Sequence, residues 1–319
     1  MNVETVFESQ EWTSFLAEYF GYRLAPIDIE LSGKNLRIAA FETERRFRVF
    51  RVLYSIPPYY YGGIYSNEWI TKKDLLQVFD RIRKNPFLHS LTVAFHPVNQ
   101  CSLFEGVEIE KYLLSRSYTH VLELPNSYSS LWEDIFDDKQ RNQLRKAMKC
   151  GVEVVAVNSD EAIGAYYDIY LESAKRWGLA RKEPIEFFVK LRERLAPYFQ
   201  MLLAKIGDKW IAGIILLSYK DKVFYFHASS LSDYWKFNGN SLLLSHGIKM
   251  AIENSKRLFD FLPSGRLRGV EAFKESFGAT KRFYNVYRVN GSLYAACGGF
   301  VKSVLGRKKA VSLGGSSSH

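Results

Sequence analysis

The sequence predicts an α/β protein of mixed sheets and flanking helices, built as two similar tandem domains from an internal duplication. Three observations predict it. Helix-type and strand-type periodicities alternate along most of the 319 residues. Gly33-Lys34-Asn35 and Gly207-Asp208-Lys209 each open a long pair of strands. Gly106-Val107-Glu108 and Gly269-Val270-Glu271 each follow the strand that comes after a long helix, and five residues past each glycine stands a lysine, Lys111 or Lys274. One short match would be chance, whereas two in the same element order indicate a repeated unit. The length accommodates two domains of about 150 residues.

In the first half, Trp12, Phe15, Leu16 and Tyr19 fall at helical spacing within Glu11–Phe20, and Gly21 ends the run. Strands are expected over Arg37–Phe41 and Phe47–Ser55, with the charged stretch Glu42–Arg46 as a turn between them. A proline-tyrosine-glycine segment, residues 57–63, breaks the pattern. A helix over Lys72–Lys84 and a strand over Ser90–Phe95 follow, then a strand over His120–Leu124. In the second half, helices are expected over Ala162–Trp177, Ile185–Leu195 and Asn240–Asn254. Strands are expected over Met201–Ile206, Trp210–Tyr219, Val223–Ala228, Arg257–Leu262 and Tyr284–Val289. The domains are placed at 1–135 and 136–310, with 311–319 a disordered Gly/Ser-rich tail outside the fold.

Hydrophobic residues make up 47% and aromatics 15% of the chain, which supports large cores and excludes a disordered protein. The formal net charge of +10 suits phosphate-bearing partners such as nucleotide sugars, transfer RNA, coenzyme A or anionic lipid; solubility alone is the plainer explanation. Cys101, Cys150 and Cys297 are scattered, and the six histidines show no metalloprotease spacing. No metal centre and no disulfide framework are therefore expected, which fits a reducing cytoplasm. Met1-Asn2-Val3-Glu4 lacks the pattern of a signal peptide, and the longest apolar run, Ile211–Leu217, is too short to span a bilayer. Phe300, Val301, Val304 and Leu305 beside Lys302, Arg307, Lys308 and Lys309 make a short basic amphipathic segment. It suits either peripheral contact with the inner membrane face or a docked terminal helix.

Several segments can carry chemistry. In Lys139-Gln140-Arg141-Asn142-Gln143-Leu144-Arg145-Lys146-Ala147-Met148-Lys149, the cations Arg141, Arg145 and Lys149 lie four apart on one helix face. They suit a bidentate grip on a diphosphate or carboxylate, or they complement the helix dipole opposite Glu133, Asp134, Asp137 and Asp138. In Tyr59-Tyr60-Tyr61-Gly62-Gly63, the glycines permit close backbone approach and the tyrosines offer stacking and hydroxyl contacts to a substrate, or the loop is simply packed. Asn240 opens a helix as a candidate N-cap with a possible place in substrate binding. Asp260, in Phe259-Asp260-Phe261, suits either an amine proton or the fixing of the next loop. Phe273-Lys274 is followed by Phe277-Gly278, a combination without a counterpart in the first repeat. No nucleophile elbow and no P-loop occur.

The segment Gly269–Ala279, the Arg-Asn-x-x-Arg-Lys-Ala helix with its trailing Gly151-Val152, and the Tyr-Gly-Gly loop occur in an order that resembles the Fem-type peptidoglycan-bridge aminoacyltransferases. These lie within the GNAT-like acyltransferases. The resemblance covers roughly residues 5–290 and implies two tandem GNAT-like domains. It implies an N-acyltransferase that moves an aminoacyl group onto an amine of a cell-envelope precursor, with no permanently bound cofactor. The donor it implies is an aminoacyl-tRNA, the acceptor a phosphate-bearing or nucleotide-sugar-linked precursor. It also implies that Lys274, after Phe273, stabilises the transition-state oxyanion; a surface lysine in a fold-specific turn is the plainer reading, since Lys111 holds the same place in the first repeat. The paired-helix arm of some Fem-type ligases has no counterpart. An (Arg/Gln)-x-x-Gly-x-(Gly/Ala) turn for the pyrophosphate of coenzyme A is not evident, which makes acyl-CoA the second donor. A binding module that kept the fold without catalysis is the third reading.

Overall fold

The computed structural model describes residues 5–46, 49–55, 61–66, 68–98, 105–265 and 267–294. Tyr59, the basic segment from residue 295 onward and the tail 311–319 lie outside them. The described chain divides into two compact units, residues 5–118 with 282–294 and residues 119–281. A single cut near residue 135 is what the sequence suggests; the division instead falls inside two strands.

Unit 1 contains helix α1 (Gln10–Phe20), strands β1 (Arg23–Leu24), β2 (Ile27–Leu31), β3 (Lys34–Ile38), β4 (Phe41–Arg46), β5 (Phe50–Tyr54) and β6 (Ile64–Ser66), helix α2 (Lys72–Arg83), strand β7 (Leu88–Ala94) and the short helix α3 (Val107–Glu110). The boundary falls in β8 (Leu113–Glu123). Unit 2 continues with α4 (Tyr128–Ser130), α5 (Asp138–Lys149), β9 (Glu153–Ala156), α6 (Asp160–Arg176), α7 (Ile185–Arg194), β10 (Phe199–Ile206), β11 (Lys209–Tyr219), β12 (Lys222–Ser230), α8 (Gly239–Glu253), β13 (Leu258–Asp260) and α9 (Arg268–Glu275). The chain returns to unit 1 along β14 (Thr280–Asn290).

The repeat is visible in this order. The β2–β3 and β10–β11 hairpins turn at Gly33 (φ +82°) and Gly207 (φ +55°), left-handed conformations that glycine adopts without steric cost. The series β7–α3–β8 matches β13–α9–β14. Strand pairing, not chain order, then defines the units. In unit 2 the end of β8 pairs antiparallel with β13 (Asp260 opposite Val121), and in unit 1 β14 pairs antiparallel with β7 (Val286 opposite Ala94). Each unit is closed by the strand that follows the other repeat's short helix, so a linear cut could not describe them.

In unit 1 the strand order is β1-β4-β5-β7-β14, with β2-β3-β6 as a separate three-stranded sheet. Its core gathers Phe79, Leu91, Val93, Phe95, Tyr287 and Val289. In unit 2 the order is β8-β13-β12-β11-β10-β9, over a core that includes Leu202, Ile214, Leu216, Leu243, Ile248 and Phe259. Ser9, Thr71, Asp137 and Ser159 cap helices by accepting from the backbone N–H three residues on, as their small polar side chains favour. The stretch Glu42–Arg46, expected as a turn, lies in β4. Charge did not prevent strand formation because Glu42 receives Arg23 (2.6 Å), Arg45 (2.5 Å) and Arg51 (2.7 Å), and these donors hold its carboxyl down at about 2 even though its partial burial opposes ionisation. No helix among the described residues is long and apolar enough to cross a membrane.

Candidate active site

Strand register opens a cavity in unit 2. β12 pairs in parallel with β13 only over Lys222–Phe224, opposite Leu258–Asp260. Beyond Phe224 the rest of β12 has no partner from β13. On its other side the register with β11 shifts, so that Ile215 faces His227 and Leu216 faces Tyr225, with Phe226 as the extra residue of a bulge. Along this part of β12 lies a cavity of about 690 Å³. Tyr225 and residues 228–230 of β12 line it, together with Trp177 after α6, Ile211 and Ala212 of β11, the start of α8, and Gly269, Val270, Phe273 and Lys274 of α9.

Lys274 is the charged side chain of this wall, 3% exposed. Its Nζ donates to the Leu262 carbonyl at 2.6 Å. Burial pulls its ammonium down to about 8, while Asp260 and Glu271 partly restore it. Asp260 is fully buried; its Oδ1 accepts from Thr119 Oγ1 (2.8 Å) and from the Leu262 N–H (2.7 Å). Leu262 has φ +57°, a conformation that non-glycine residues avoid. Its N–H is thus held by the carboxylate and its C=O by the ammonium, and this clamp fixes the turn after β13. Lys111, the counterpart of Lys274 in the first repeat, is half-exposed and lies 3.5 Å from Asp80. The repeated skeleton therefore buries only one of its two lysines.

Phe273 lines the cavity and packs edge-on against Phe277 (5.3 Å), which in turn meets Phe136 (5.4 Å). Gly278 has φ +80°, and a Cβ there would come 2.1 Å from Ile135 Cγ2, so the Phe-Gly pair closes α9 against the wide turn at Leu131–Ile135. That is a packing role and not a chemical one.

Helix α8 begins at the cavity. Its N-cap is Asn238 (φ +55°), whose side chain makes no capping bond; the sequence had suggested Asn240 for that place. Asn240 sits in the first turn, donates from Nδ2 to Ser230 Oγ (3.0 Å) and leaves its buried Oδ1 without a partner. Ser230 Oγ also accepts from Trp235 Nε1 (2.9 Å). The segment before and into the helix reads Lys236-Phe237-Asn238-Gly239-Asn240-Ser241. Its Lys-x-x-Gly-x-Ser pattern differs at two of three marked positions from the Arg/Gln-x-x-Gly-x-Gly/Ala turn, which is why that turn is not evident in the sequence; the signal that remains is a lysine three residues before a helix-starting glycine.

The other expected binding residues stand elsewhere. Arg141 spends Nη1 on the carbonyls of Trp132 (2.9 Å), Glu133 (3.2 Å) and Phe136, and Nη2 on Asp138 (2.8 Å). It satisfies the end of the Leu131–Ile135 turn, whose carbonyls would otherwise lack donors. Arg145 contacts Asn142 Oδ1 (3.1 Å) and lies over the Trp132 ring, and Lys149 is exposed; neither lines the cavity. Arg141→Ala is expected to lower stability by about 1–3 kcal/mol, read as a lower denaturation midpoint. A variant with an unchanged midpoint and a raised acceptor KM would return Arg141 to substrate binding. In unit 1, Tyr61 is fully buried, edge-on to His96 (4.6 Å) and Tyr284 (5.3 Å), so it is core and offers no stacking surface. Gly62 donates to Ala94 O (2.7 Å) and Gly63 to Glu8 Oε1 (3.1 Å). His120, Glu271 and Glu275 bring ligand-type atoms within 4.8 Å of one another, and the Lys281 ammonium already lies 3.0 Å from Glu271 and 3.6 Å from Glu275.

Residues 138–275 match the family model described as the acetyltransferase (GNAT) domain. Among solved structures, FemX aligns with a TM-score of 0.70 at 12% identity, over 95% of both chains. The C-terminal domain of a putative lysylphosphatidylglycerol synthetase from Agrobacterium fabrum aligns with a TM-score of 0.57 at 10% identity, over 92% of both. A tandem GNAT protein from the clavulanic acid biosynthesis pathway aligns at 0.51 and 8%, over 88% of this chain and 94% of that one. Curated protein sequences give no match. At these identities the structural likeness is one of fold. Unit 2 thus contains the segment that matches the GNAT acetyltransferase domain, and the whole chain shares the tandem α/β fold of FemX and of the tandem GNAT protein.

Proposed function

We propose that the chain moves an acyl group from a phosphate-bearing carrier, acyl-CoA or an aminoacyl-tRNA, onto the amine of a cell-envelope precursor or peptide. The observation that carries this reading is the meeting of two features in one cavity: a helix N-terminus without a side-chain cap and a buried lysine. The first turn of α8 offers unpaired N–H groups and the positive end of its dipole to a carrier phosphate. Lys274, which lines the same cavity with Phe273, offers an ammonium to the donor carbonyl oxygen.

The amine nitrogen attacks the carbonyl carbon. The carbonyl π electrons move to oxygen, where Lys274 balances the charge, and their return expels the carrier thiolate or hydroxyl oxygen. The nitrogen gives up one proton, and the departing carrier takes one. Catalysis is then positioning and electrostatics with no covalent enzyme intermediate. Asp260, held by Thr119 and Leu262, is a positioning residue here and not the proton acceptor.

The net charge of +10 and the likeness to FemX support aminoacyl-tRNA as donor; the Lys236–Ser241 segment at α8 supports acyl-CoA. Thermal-shift titration with coenzyme A, and separately with charged and uncharged transfer RNA, tests the reading. A saturable rise in Tm with one carrier is expected, lost in Gly239→Asp, which places a carboxylate at the start of α8. No rise with either carrier would count for a non-catalytic binding module.

A further inference from the structure

We infer that the unit 2 cavity takes an uncharged acyl group and discriminates against one that carries a free ammonium. The inference rests on the reading of this cavity as the donor site, and of the two carriers proposed there it favours acyl-CoA over an aminoacyl-tRNA with a free amine.

Among the described residues that line it there is one cation, Lys274, and no carboxylate. The acids on neighbouring elements are committed to other partners. Asp260 accepts from Thr119 and Leu262, and Glu271 faces Lys281 at 3.0 Å. Glu172 accepts from the Ser232 N–H (2.9 Å) and Oγ (3.1 Å) and from Arg176 (3.3 Å). Asp233 is exposed and outside the lining.

Aromatic faces are the alternative home for an ammonium. Here Arg176 already lies over the Trp235 ring at 4.7 Å and 5.9 Å from the Trp177 ring, so a second cation beside either would meet a like charge. The start of α8 adds the positive end of a helix dipole. The lining itself thus offers Lys274 and the positive end of α8 and no carboxylate; Asp260 and Glu271 near Lys274, and Glu172 on Arg176, moderate that field but lie outside the lining. Burial has already weakened the hold of Lys274 on its own proton, and a donor ammonium beside it would weaken it further. The rest of the wall, Ile211, Ala212, Leu231, Tyr225, Val270 and Phe273, suits an apolar chain.

Two matched pairs of probes test this on the full chain. Propionyl-CoA and β-alanyl-CoA differ by one terminal ammonium. On the other carrier, a 3′-aminoacyl adenosine amide and its N-acetyl derivative differ in whether the amine is charged, the acetyl group also adding bulk. Calorimetric titration is expected to show the uncharged member of whichever pair binds at least tenfold tighter. Equal affinities, or the reverse order, overturn the inference while leaving the donor site standing. Silence from all four probes overturns the donor-site reading itself, and the inference with it. Val270→Glu adds a carboxylate to the lining at a partly exposed position of α9 and is expected to narrow the ratio. A folded Val270→Glu protein with an unchanged ratio also overturns the inference.

Discussion

Lys274→Met is expected to lower kcat by about 10²–10³-fold, the range found when one oxyanion donor is removed from an acyl-transfer site. Donor KM should change little, because the proposed carrier site is the start of α8 and not the lysine. The pH profile gives an independent reading. The cation is the useful form, and burial holds its pKa near 8 instead of the ordinary 10.5, so kcat should fall as pH rises through about 8. Stability moves the other way. Between pH 8 and 10.5 the unfolded chain keeps a lysine proton that the folded chain has lost, so the unfolded state binds more protons and stability rises with pH across that window. The cost of the buried charge, roughly 3 kcal/mol for this displacement, is present below pH 8 and relieved above 10.5. Methionine removes that cost but leaves the Leu262 carbonyl without its donor. These two effects are of similar size and opposite sign, so the Tm of Lys274→Met near pH 7 should lie within a few degrees of the parent, and its rise between pH 8 and 10.5 should vanish. Measured turnover that survives the substitution would remove Lys274 from the chemistry.

What distinguishes Lys274 from Lys111 could not be read from the repeat. Both follow Gly-Val-Glu at the same spacing. Only the three-dimensional neighbours separate them: Lys274 reaches the carbonyl of Leu262, twelve positions earlier, whereas Lys111 projects toward solvent near Asp80. Burial depends on packing against distant segments, and local spacing carries no record of it. Arg141 shows the same limit. Four-residue spacing correctly puts Arg141, Arg145 and Lys149 on one face of α5, but what Arg141 meets is set by the turn at 131–136, whose carbonyls need a donor. Glu42–Arg46 reads as a turn by composition, yet cross-strand ion pairs let it lie in a sheet, a case of tertiary context overriding propensity. The alternating elements and the paired glycine turns were legible because each rests on local periodicity or on a backbone conformation that glycine signals.

Asp260→Ala should cost about 3–5 kcal/mol of stability, the larger effect on folding of the two partners in the clamp. Removing the carboxylate leaves three buried groups uncompensated: the Thr119 hydroxyl, the Leu262 N–H and the Lys274 ammonium. Leu262 already sits in a left-handed conformation worth about 1–2 kcal/mol of strain, which persists only while both its peptide groups are pinned. Without Asp260 the turn after β13 should relax, and Lys274 should lose its fixed position together with its neighbouring negative charge. Asp260→Asn keeps an acceptor for the Leu262 N–H but no negative charge for Lys274, so its loss of stability should be smaller, while kcat should fall and reach half its maximum at a lower pH than in the parent. Chemical denaturation of both variants, with the pH profile of the asparagine form, decides the role. If Asp260→Ala unfolded at the parent midpoint and had lost only kcat, the residue would be a proton acceptor after all, and the clamp would be incidental to it. If stability falls as expected and the asparagine profile shifts, Asp260 acts through Leu262 and Lys274. The Phe273-Lys274 pair would then depend for its geometry on an acid fourteen positions earlier.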